Sequence, residues 1–422
     1  MSTRLEEARR QIYEADRGIA ELFEKRMEAV RDVAAYKKEY DLPILDEAQE
    51  QRVLDRNAQL IRDKSLRKYY LPFMKNTMAV SRQYQEDLLG EADAVSGEGL
   101  GRFAVKELLR HAQVDPAGRK VLILGTGENG RTAYDAAAQM GASEILMVSR
   151  TGEEGSITYE EAYGKHKDAQ VLINTTSCGM APEIDDCPAD PARFPFLTGV
   201  IDLISDPLRT TLVLEAQKRG IPAEGGLYGQ VVQAVCSAGL FSEKRFDRDA
   251  VERIFTEVRG SRRNIVLTGM SLAGKTTVGT LLAYKLGREL ADTDELIIEK
   301  EKRAITEIFA TDGEGYFRDV ESEVIRELAP RTGMIIATGG GAILREKNVD
   351  ALKKNGVIIF LDRPLDQILP MDDRPLANTR EKVIALLEKR YPIYSSVCDE
   401  HVPNGISAEF VTDKVLAVLK YQ

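Results

Sequence analysis

Asn264–Leu286 reads NIVLT, GMSLAGKTT, VGTLLAYKL. The first five residues are an apolar, β-branched run closed by glycine, which predicts a buried strand. The last nine repeat apolar residues at helical spacing and predict a helix. Between them, Gly269–Thr277 satisfies G-x-x-x-x-G-K-[ST]. Strand, glycine loop and helix in that order make a phosphate cradle, because backbone N–H groups at a helix N-terminus meet phosphate oxygens. On this reading Ser271, Leu272, Ala273, Gly274, Lys275, Thr276 and Thr277 bind ATP. Lys275 reaches the outer phosphates and the Thr276 hydroxyl ligates Mg²⁺. A plain glycine turn is the competing reading, and the flanking elements weigh against it.

Seventeen residues beyond Lys275 stands Asp292-Thr293-Asp294. Two carboxylates at i and i+2 on a strand end can divide labour, Asp292 in the metal shell and Asp294 on a substrate hydroxyl. A solvated strand exit is the alternative for that pair. Further on come Phe317-Arg318 with Glu321, Gly339-Gly340-Gly341, Asp373-Arg374-Pro375-Leu376 and Arg390-Tyr391-Pro392-Ile393-Tyr394. As an ordered set these resemble shikimate kinase over 261–422. The resemblance implies an α/β P-loop kinase of the nucleoside-monophosphate-kinase type. It implies shikimate binding by Asp294, Arg318, Gly340 and Arg390, and a lid carrying Arg374 over the transferred phosphoryl group. An arginine fork suits a carboxylate. The lid, Asp362–Arg374, is a few residues shorter than in relatives and carries Leu369-Pro370 where a basic residue is common. The nearest rival on this scaffold is a gluconate-type kinase, against which Asp294, Arg318 and Arg390 speak.

The whole chain of 422 residues is 43% hydrophobic and 30% charged, long enough for several cores and globular in composition. A net charge of −10 argues against a nucleic-acid footprint. No apolar run reaches membrane-span length, and the charged start MSTRLEEARR lacks a signal core. Cys178, Cys187, Cys236 and Cys398 have no metal-ligand spacing, and His111, His166 and His401 form no cluster. Reduced thiols in a cytoplasmic protein are expected.

Residues 1–90 carry almost no strand signal. Leu5, Ala8, Ile12, Ala15, Ile19, Leu22, Phe23, Val30 and Val33 fall at helical spacing, predicting one helix of roughly 35 residues ended by Pro43. Two more helices are expected near Asp46–Lys64 and Tyr69–Leu89. So few helices bury little, which points to a dimer. Arg26 and Lys37 share a helix face, as do the i,i+4 pairs Asp46/Glu50 and Ser81/Gln85. Surface decoration is the bland reading of such charges. Residues 4–89 resemble the all-helical class of chorismate mutase at Arg9, Arg26, Lys37, Asp46, Glu50, Ser81 and Gln85. The resemblance implies an intertwined homodimer in which Arg9 comes from the partner. It places Lys37 and Gln85 at the breaking ether oxygen, Arg9 and Arg26 at the two carboxylates, and Glu50 at the ring hydroxyl. Gln49 stands where relatives often carry a basic residue.

Residues 91–260 alternate strands and helices, with KVLIL, EILMVSR, AQVLINTT and GVIDLI as strands. Gly125, Gly127 and Gly130 fit the dinucleotide fingerprint, and Ser149-Arg150-Thr151 follows at the position of the ribose contact, where an arginine suits the 2′-phosphate of NADP. A Rossmann-like sheet without nucleotide is the alternative. The segment resembles the nucleotide-binding half of shikimate dehydrogenase at Asn174-Thr175-Thr176, Gly179-Met180, Asp202–Pro207 and Gly226–Gln233, with Gln233 as the implied shikimate contact. The substrate domain and catalytic lysine of that family have no counterpart, and Glu98 stands for its aspartate. We therefore expect no dehydrogenase activity from this segment alone. It would serve as scaffold, NADP-binding remnant or half of a site completed by another chain.

Together these readings predict three domains: an all-α one at 1–90, a Rossmann-like one at 91–260 and a P-loop kinase at 261–422. Gly90–Gly101 and Arg259–Arg263 are the expected linkers. Substrates would be shikimate, ATP and chorismate, with neither nucleic acid nor membrane as partner. The competing class is a fusion in which one or more domains only dimerise, scaffold or sense ligand.

Overall fold

All five residues of NIVLT are buried, and they form the central strand of a parallel sheet, as a strand covered on both faces must. The computed structural model describes residues 2–39, 47–93, 99–153, 155–242, 247–368 and 378–419. The chain forms two compact units, Met1–Phe103 with Cys236–Phe246, and Ala104–Val235 with Asp247–Gln422.

In the first unit α1 (Ser2–Glu39) packs along α3 (Arg67–Asp93), and α2 (Glu47–Leu60) packs against α3. Among the described residues of these three helices the buried apolar set is small: Val30 and Ala34 on α1, Leu54 on α2, Met74 and Met78 on α3. The apolar spacing that predicts α1 is mostly unspent within one chain. Ile12 and Leu22 are 61% and 68% exposed, and Ile19, Phe23 and Val33 are exposed as well.

After α4 (Leu100–His111), whose first turn belongs to the first unit, come β1 (Lys120–Leu124), α5 (Glu128–Gln139), β2 (Glu144–Ser149), β3 (Ile157–Thr158) and α6 (Tyr159–Lys165). Then follow β4 (Val171–Asn174), β5 (Gly199–Asp202), α7 (Thr211–Lys218), β6 (Ala223–Glu224) and α8 (Leu227–Ser242). Their parallel order β3-β2-β1-β4-β5-β6 is doubly wound, with the switch point between β1 and β4.

The second sheet is built from α9 (Arg248–Arg262), β7 (Asn264–Thr268), α10 (Lys275–Leu286), β8 (Leu290–Asp292), α11 (Thr293–Glu301), α12 (Ile305–Thr311) and α13 (Gly313–Leu328). It continues with β9 (Ile335–Ala337), α14 (Glu346–Asn355), β10 (Gly356–Asp362), α15 (Arg380–Val397), β11 (Glu400–Pro403) and α16 (Ala408–Leu419), in the order β11-β10-β7-β9-β8. Arg259–Arg263, expected as a linker, is instead the end of α9. Val251 and Phe255 bury one face of that helix, and Arg288 donates to the carbonyls of Gly260 and Arg263 at its end. The strands without a sequence signal, β3, β6 and β11, are two to four residues long. That is too short for an apolar period to register.

Asp202 ends β5 fully buried. Its carboxylate accepts from Asn174 Nδ2 (3.0 Å), the Ile204 N–H (3.0 Å) and Thr210 Oγ1 (2.7 Å). Burial outweighs these bonds and raises its pKa from 3.8 to about 6. The folded state therefore holds a proton that the unfolded chain has released. Stability from this group is full below pH 3.8 and is lost as pH rises through about 6. Asp202→Asn keeps an acceptor for Asn174 and Ile204 and removes the titration. Urea melts at pH 4.5 and 7.5 should lose about 2 kcal/mol of pH dependence in this variant relative to the parent chain.

Candidate active site

The loop after β7 takes a conformation that needs special residues. Gly269 and Gly274 have φ of +147° and +79°, and Leu272 sits in the left-handed region at +66°. A Cβ on Gly269 would stand 2.6 Å from the Leu361 carbonyl oxygen. Lys275 is buried, and its ammonium donates to the carbonyls of Gly269 (3.1 Å) and Met270 (2.8 Å) across the loop. Thr276 Oγ1 donates to Asp292 Oδ2 at 2.7 Å, which joins the start of α10 to the end of β8. The other Asp292 oxygen caps α11 by accepting from the Asp294 N–H at 3.0 Å. Ser271, Ala273 and Thr277 complete the turn, Ala273 fully buried and Thr277 exposed.

The triple glycine follows β9, beside β7, and runs against this loop. The Gly339 N–H donates to Thr293 Oγ1 (2.8 Å), and the Gly340 carbonyl accepts from Arg390 Nη1 (3.0 Å) and from the Tyr394 hydroxyl. Arg390 and Tyr394 are one turn apart on α15 and so share a face. Burial pushes the Tyr394 phenol up to about 12, which keeps it a donor. There is no room for side chains in the bend. A Cβ on Gly339 would lie 2.8 Å from Asp294 Oδ1 and 2.7 Å from Glu321 Oε1. One on Gly340 would lie 3.2 Å from the Ser271 N, and one on Gly341 would lie 2.3 Å from Arg318 Nη2. Arg318 is buried on α13 and paired with the fully buried Glu321 at 2.7 Å. Burial pushes the Glu321 carboxyl above its ordinary range, against the pull of Arg318. Asp294, Arg318, Gly340 and Arg390 are thus brought to one place beside the phosphate loop. Arg374 lies outside the described residues.

In the helical unit, Arg26 on α1 donates to the hydroxyl of buried Ser81 on α3. Burial lowers the Arg26 pKa while nearby Glu50 raises it. Gln85, one turn beyond Ser81, is buried, and its Oε1 has no partner among the described residues. Glu50 is held by Arg82 at 2.5 and 2.6 Å. Arg26, Glu50, Ser81 and Gln85 are therefore assembled, and Lys37 is half-buried further along α1. Arg9 is exposed, and seventeen residues of helix put it roughly 25 Å from Arg26. Asp46 and Glu98 lie outside the described residues.

The fingerprint glycines of the middle sheet sit where β1 gives way to α5. Gly125 has φ +109°, Gly127 caps the helix with open space at its Cβ position, and a Cβ on Gly130 would stand 2.4 Å from the Gly125 carbonyl oxygen. At the end of β2 the Ser149 hydroxyl accepts from the Gly152 N–H (2.9 Å), while Arg150 and Thr151 are exposed. Gln233 is also exposed.

Residues 271–420 match the family model for shikimate kinase, and residues 8–86 match that for chorismate mutase type II. A shikimate kinase of Clostridium botulinum is 38% identical over 162 residues, 37% of this chain and 98% of that protein. The chain belongs to the shikimate kinase family. A second relative, the shikimate kinase of Caldicellulosiruptor bescii, is 40% identical over 164 residues, 37% of this chain and 95% of that one. Among solved structures, shikimate kinase from Acinetobacter baumannii in complex with shikimate is 34% identical with a TM-score of 0.37, covering 39% of this chain and 96% of its own. A chorismate mutase/shikimate 5-dehydrogenase fusion protein from Clostridium acetobutylicum is 25% identical with a TM-score of 0.36, covering 38% of this chain and 61% of its own. The chain thus joins a helical chorismate mutase domain, a Rossmann-like sheet and a shikimate kinase domain.

Several residues of the kinase domain have roles that the sequence did not assign. Thr293 and Tyr394 hold the glycine bend, and Glu321 sets Arg318. Two more hold the phosphate loop from 91 and 131 residues away: Arg363 Nη1 donates to the Leu272 carbonyl at 3.3 Å, and buried Asn404 donates to that of Ala273. A trans peptide points its N–H opposite its carbonyl. Fixing Ala273 O on Asn404 therefore turns the Gly274 N–H to the opposite side of that peptide. In the helical domain the missed residue is Arg82, a mid-helix arginine like any other until the fold places Glu50 opposite it. Asn404→Ala should weaken binding of a fluorescent ADP analogue by roughly tenfold, the worth of one buried hydrogen bond, without altering the fold seen by circular dichroism.

Proposed function

We propose that the kinase domain transfers the γ-phosphoryl group of ATP to the 3-hydroxyl of shikimate, and that the helical domain rearranges chorismate to prephenate. The observation that carries the first reading is the contact of the phosphate loop with the glycine bend between Asp294, Arg318 and Arg390. Arg318 and Arg390 bind the shikimate carboxylate as guanidinium forks, and Gly340 lets the ring lie against backbone. Asp294 orients the attacking hydroxyl and accepts its proton as the new O–P bond forms and the bond to ADP breaks. Lys275 exchanges its two loop carbonyls for the outer phosphates, and Arg374 closes over them. Thr276 and Asp292 are hard oxygen donors side by side, a set that fits Mg²⁺, which takes one or two protein oxygens and the rest from phosphate and water. When bound, the ion neutralises phosphate charge.

In the helical domain the reaction needs no covalent step, so catalysis is positioning and cationic stabilisation. Arg26 and Arg9 bind the two carboxylates, Lys37 and Gln85 meet the ether oxygen, and Glu50, Ser81 and Asp46 hold the remaining polar groups. Arg9 cannot reach the Arg26 of its own chain. A second copy supplies it, and the exposed stripe Ile12, Ile19, Leu22 and Phe23 supports a homodimer through α1. We assign 1–90, 91–260 and 261–422 as the domains of a cytoplasmic enzyme. The intact glycine turn supports NADP as the ligand of the middle domain, which is no dehydrogenase by itself.

Lys275→Met should lower shikimate-dependent ADP release on the order of 10³-fold. Arg390→Lys should raise KM for shikimate roughly tenfold and leave KM for ATP alone. Equal turnover with gluconate or quinate would overturn the substrate assignment. For the mutase, chorismate loss followed by absorbance should fall about 10²-fold in Arg26→Ala; an unchanged rate would remove Arg26 from the site.

A further inference from the structure

The middle sheet has lost the partner domain of the family that it resembles, yet it is not a loose appendage. It and the kinase domain form one compact unit. The joint is a seam between the segment that leads into α7 and the far end of α14. The Arg209 N–H donates to the Lys354 carbonyl at 2.9 Å, and the Leu208 N–H donates to Asn355 Oδ1 at 2.8 Å. The Arg209 guanidinium reaches the carbonyl of Gly356, the first residue of β10. A helix leaves its last carbonyls without partners of its own, and here a different sheet supplies them.

The seam is polar, buried and paired. Lys354 is only 3% exposed, and its ammonium donates to the Ile184 carbonyl (2.6 Å) and to the Asp185 carboxylate, both from the middle domain. Asn355, fully buried, uses its amide nitrogen on the Ala329 carbonyl at the end of α13 (3.0 Å). Ile184 packs into the core that contains Phe317, Val320 and Ile343. At the rim, Lys218 of α7 meets Asp350 (2.8 Å) and Glu346 (3.1 Å) of α14. At its other end α14 touches the substrate pocket: buried Asn348 donates to the Ala342 carbonyl at 2.9 Å, one residue past the triple glycine.

We propose that the middle domain is an internal buttress of the kinase, gripping the C-terminal end of α14 through Arg209, Leu208 and the Lys354–Asp185 pair. Its grip sets α14, and through Asn348 the glycine bend that receives the substrate. The two sheets therefore unfold as one body, and loosening the seam is felt at the glycine bend before the phosphate loop.

The test uses the full chain. Pulsed hydrogen exchange along a urea series reads protection at β4 and β5 in the middle domain and at β7 and β10 in the kinase. In the parent chain both sets should lose protection at one urea concentration. In Arg209→Ala they should separate, while Lys218→Ala, which removes only a rim contact, should keep them together. KM for shikimate should rise roughly fivefold in Arg209→Ala with KM for ATP within about twofold. Should Arg209→Ala fail to fold, Arg209→Lys and Asp185→Asn carry the same comparison. Separate midpoints in the parent chain, or a single midpoint kept in the seam variants, overturn the proposal. Separation without a change in KM for shikimate overturns the link to the glycine bend. The kinetic arm rests on the shikimate kinase reading. A parent chain inactive on shikimate defeats that reading and leaves the exchange result to judge the buttress.

Discussion

The kinase site depends on one steric constraint: the turn after β9 must pass between a phosphate loop and two arginines with no side chain of its own. The Cβ positions of Gly339, Gly340 and Gly341 fall on Asp294 and Glu321, on Ser271 and on Arg318 respectively. Because the bend is bare, the phosphate loop and the arginines Arg318 and Arg390 can share one wall. Because it is held by Thr293, Arg390 and Tyr394, it is also rigid, and phosphoryl transfer is chiefly a matter of position and electrostatics.

The same logic of supporting residues recurs one layer out. Leu272 occupies a backbone region costly for a residue with a Cβ, and it is kept there by neighbours on the ends of β10 and β11. α14, which touches the bend through Asn348, is fixed at its other end by the middle domain. The middle sheet thus holds α14 in place. The helical domain is organised differently: in one chain it assembles Arg26, Glu50, Ser81 and Gln85 but leaves Arg9 and an apolar stripe facing outward.

Much of this was legible in the chain. β7 and the loop after it, the second β–glycine–α turn at Gly125 and the length of α1 all follow from periodicity and glycine spacing, because they are local. The two-residue spacing of Asp292 and Asp294 put both carboxylates at the end of β8, where Asp292 caps α11. Arg259–Arg263 misled, since a polar, glycine-bearing stretch looks like a linker until the buried faces of Val251 and Phe255 and the caps from Arg288 are seen. Nor could spacing say that the apolar residues of α1 would remain exposed in a single chain. Periodicity reports that a face is apolar, not what covers it.

By itself the sequence determined the phosphate loop, the longer strands and the residue types gathered around that loop. These depend on backbone conformation and on side-chain chemistry within a few residues. Only the tertiary structure decided that Asn404 and Arg363 hold the loop, that Tyr394 and Arg390 share one carbonyl, that Arg82 takes Glu50, and that Arg209 and Lys354 join two sheets. Each of these contacts closes over tens to more than a hundred residues. A hydrogen bond depends on atoms brought within about 3 Å, which no local pattern encodes.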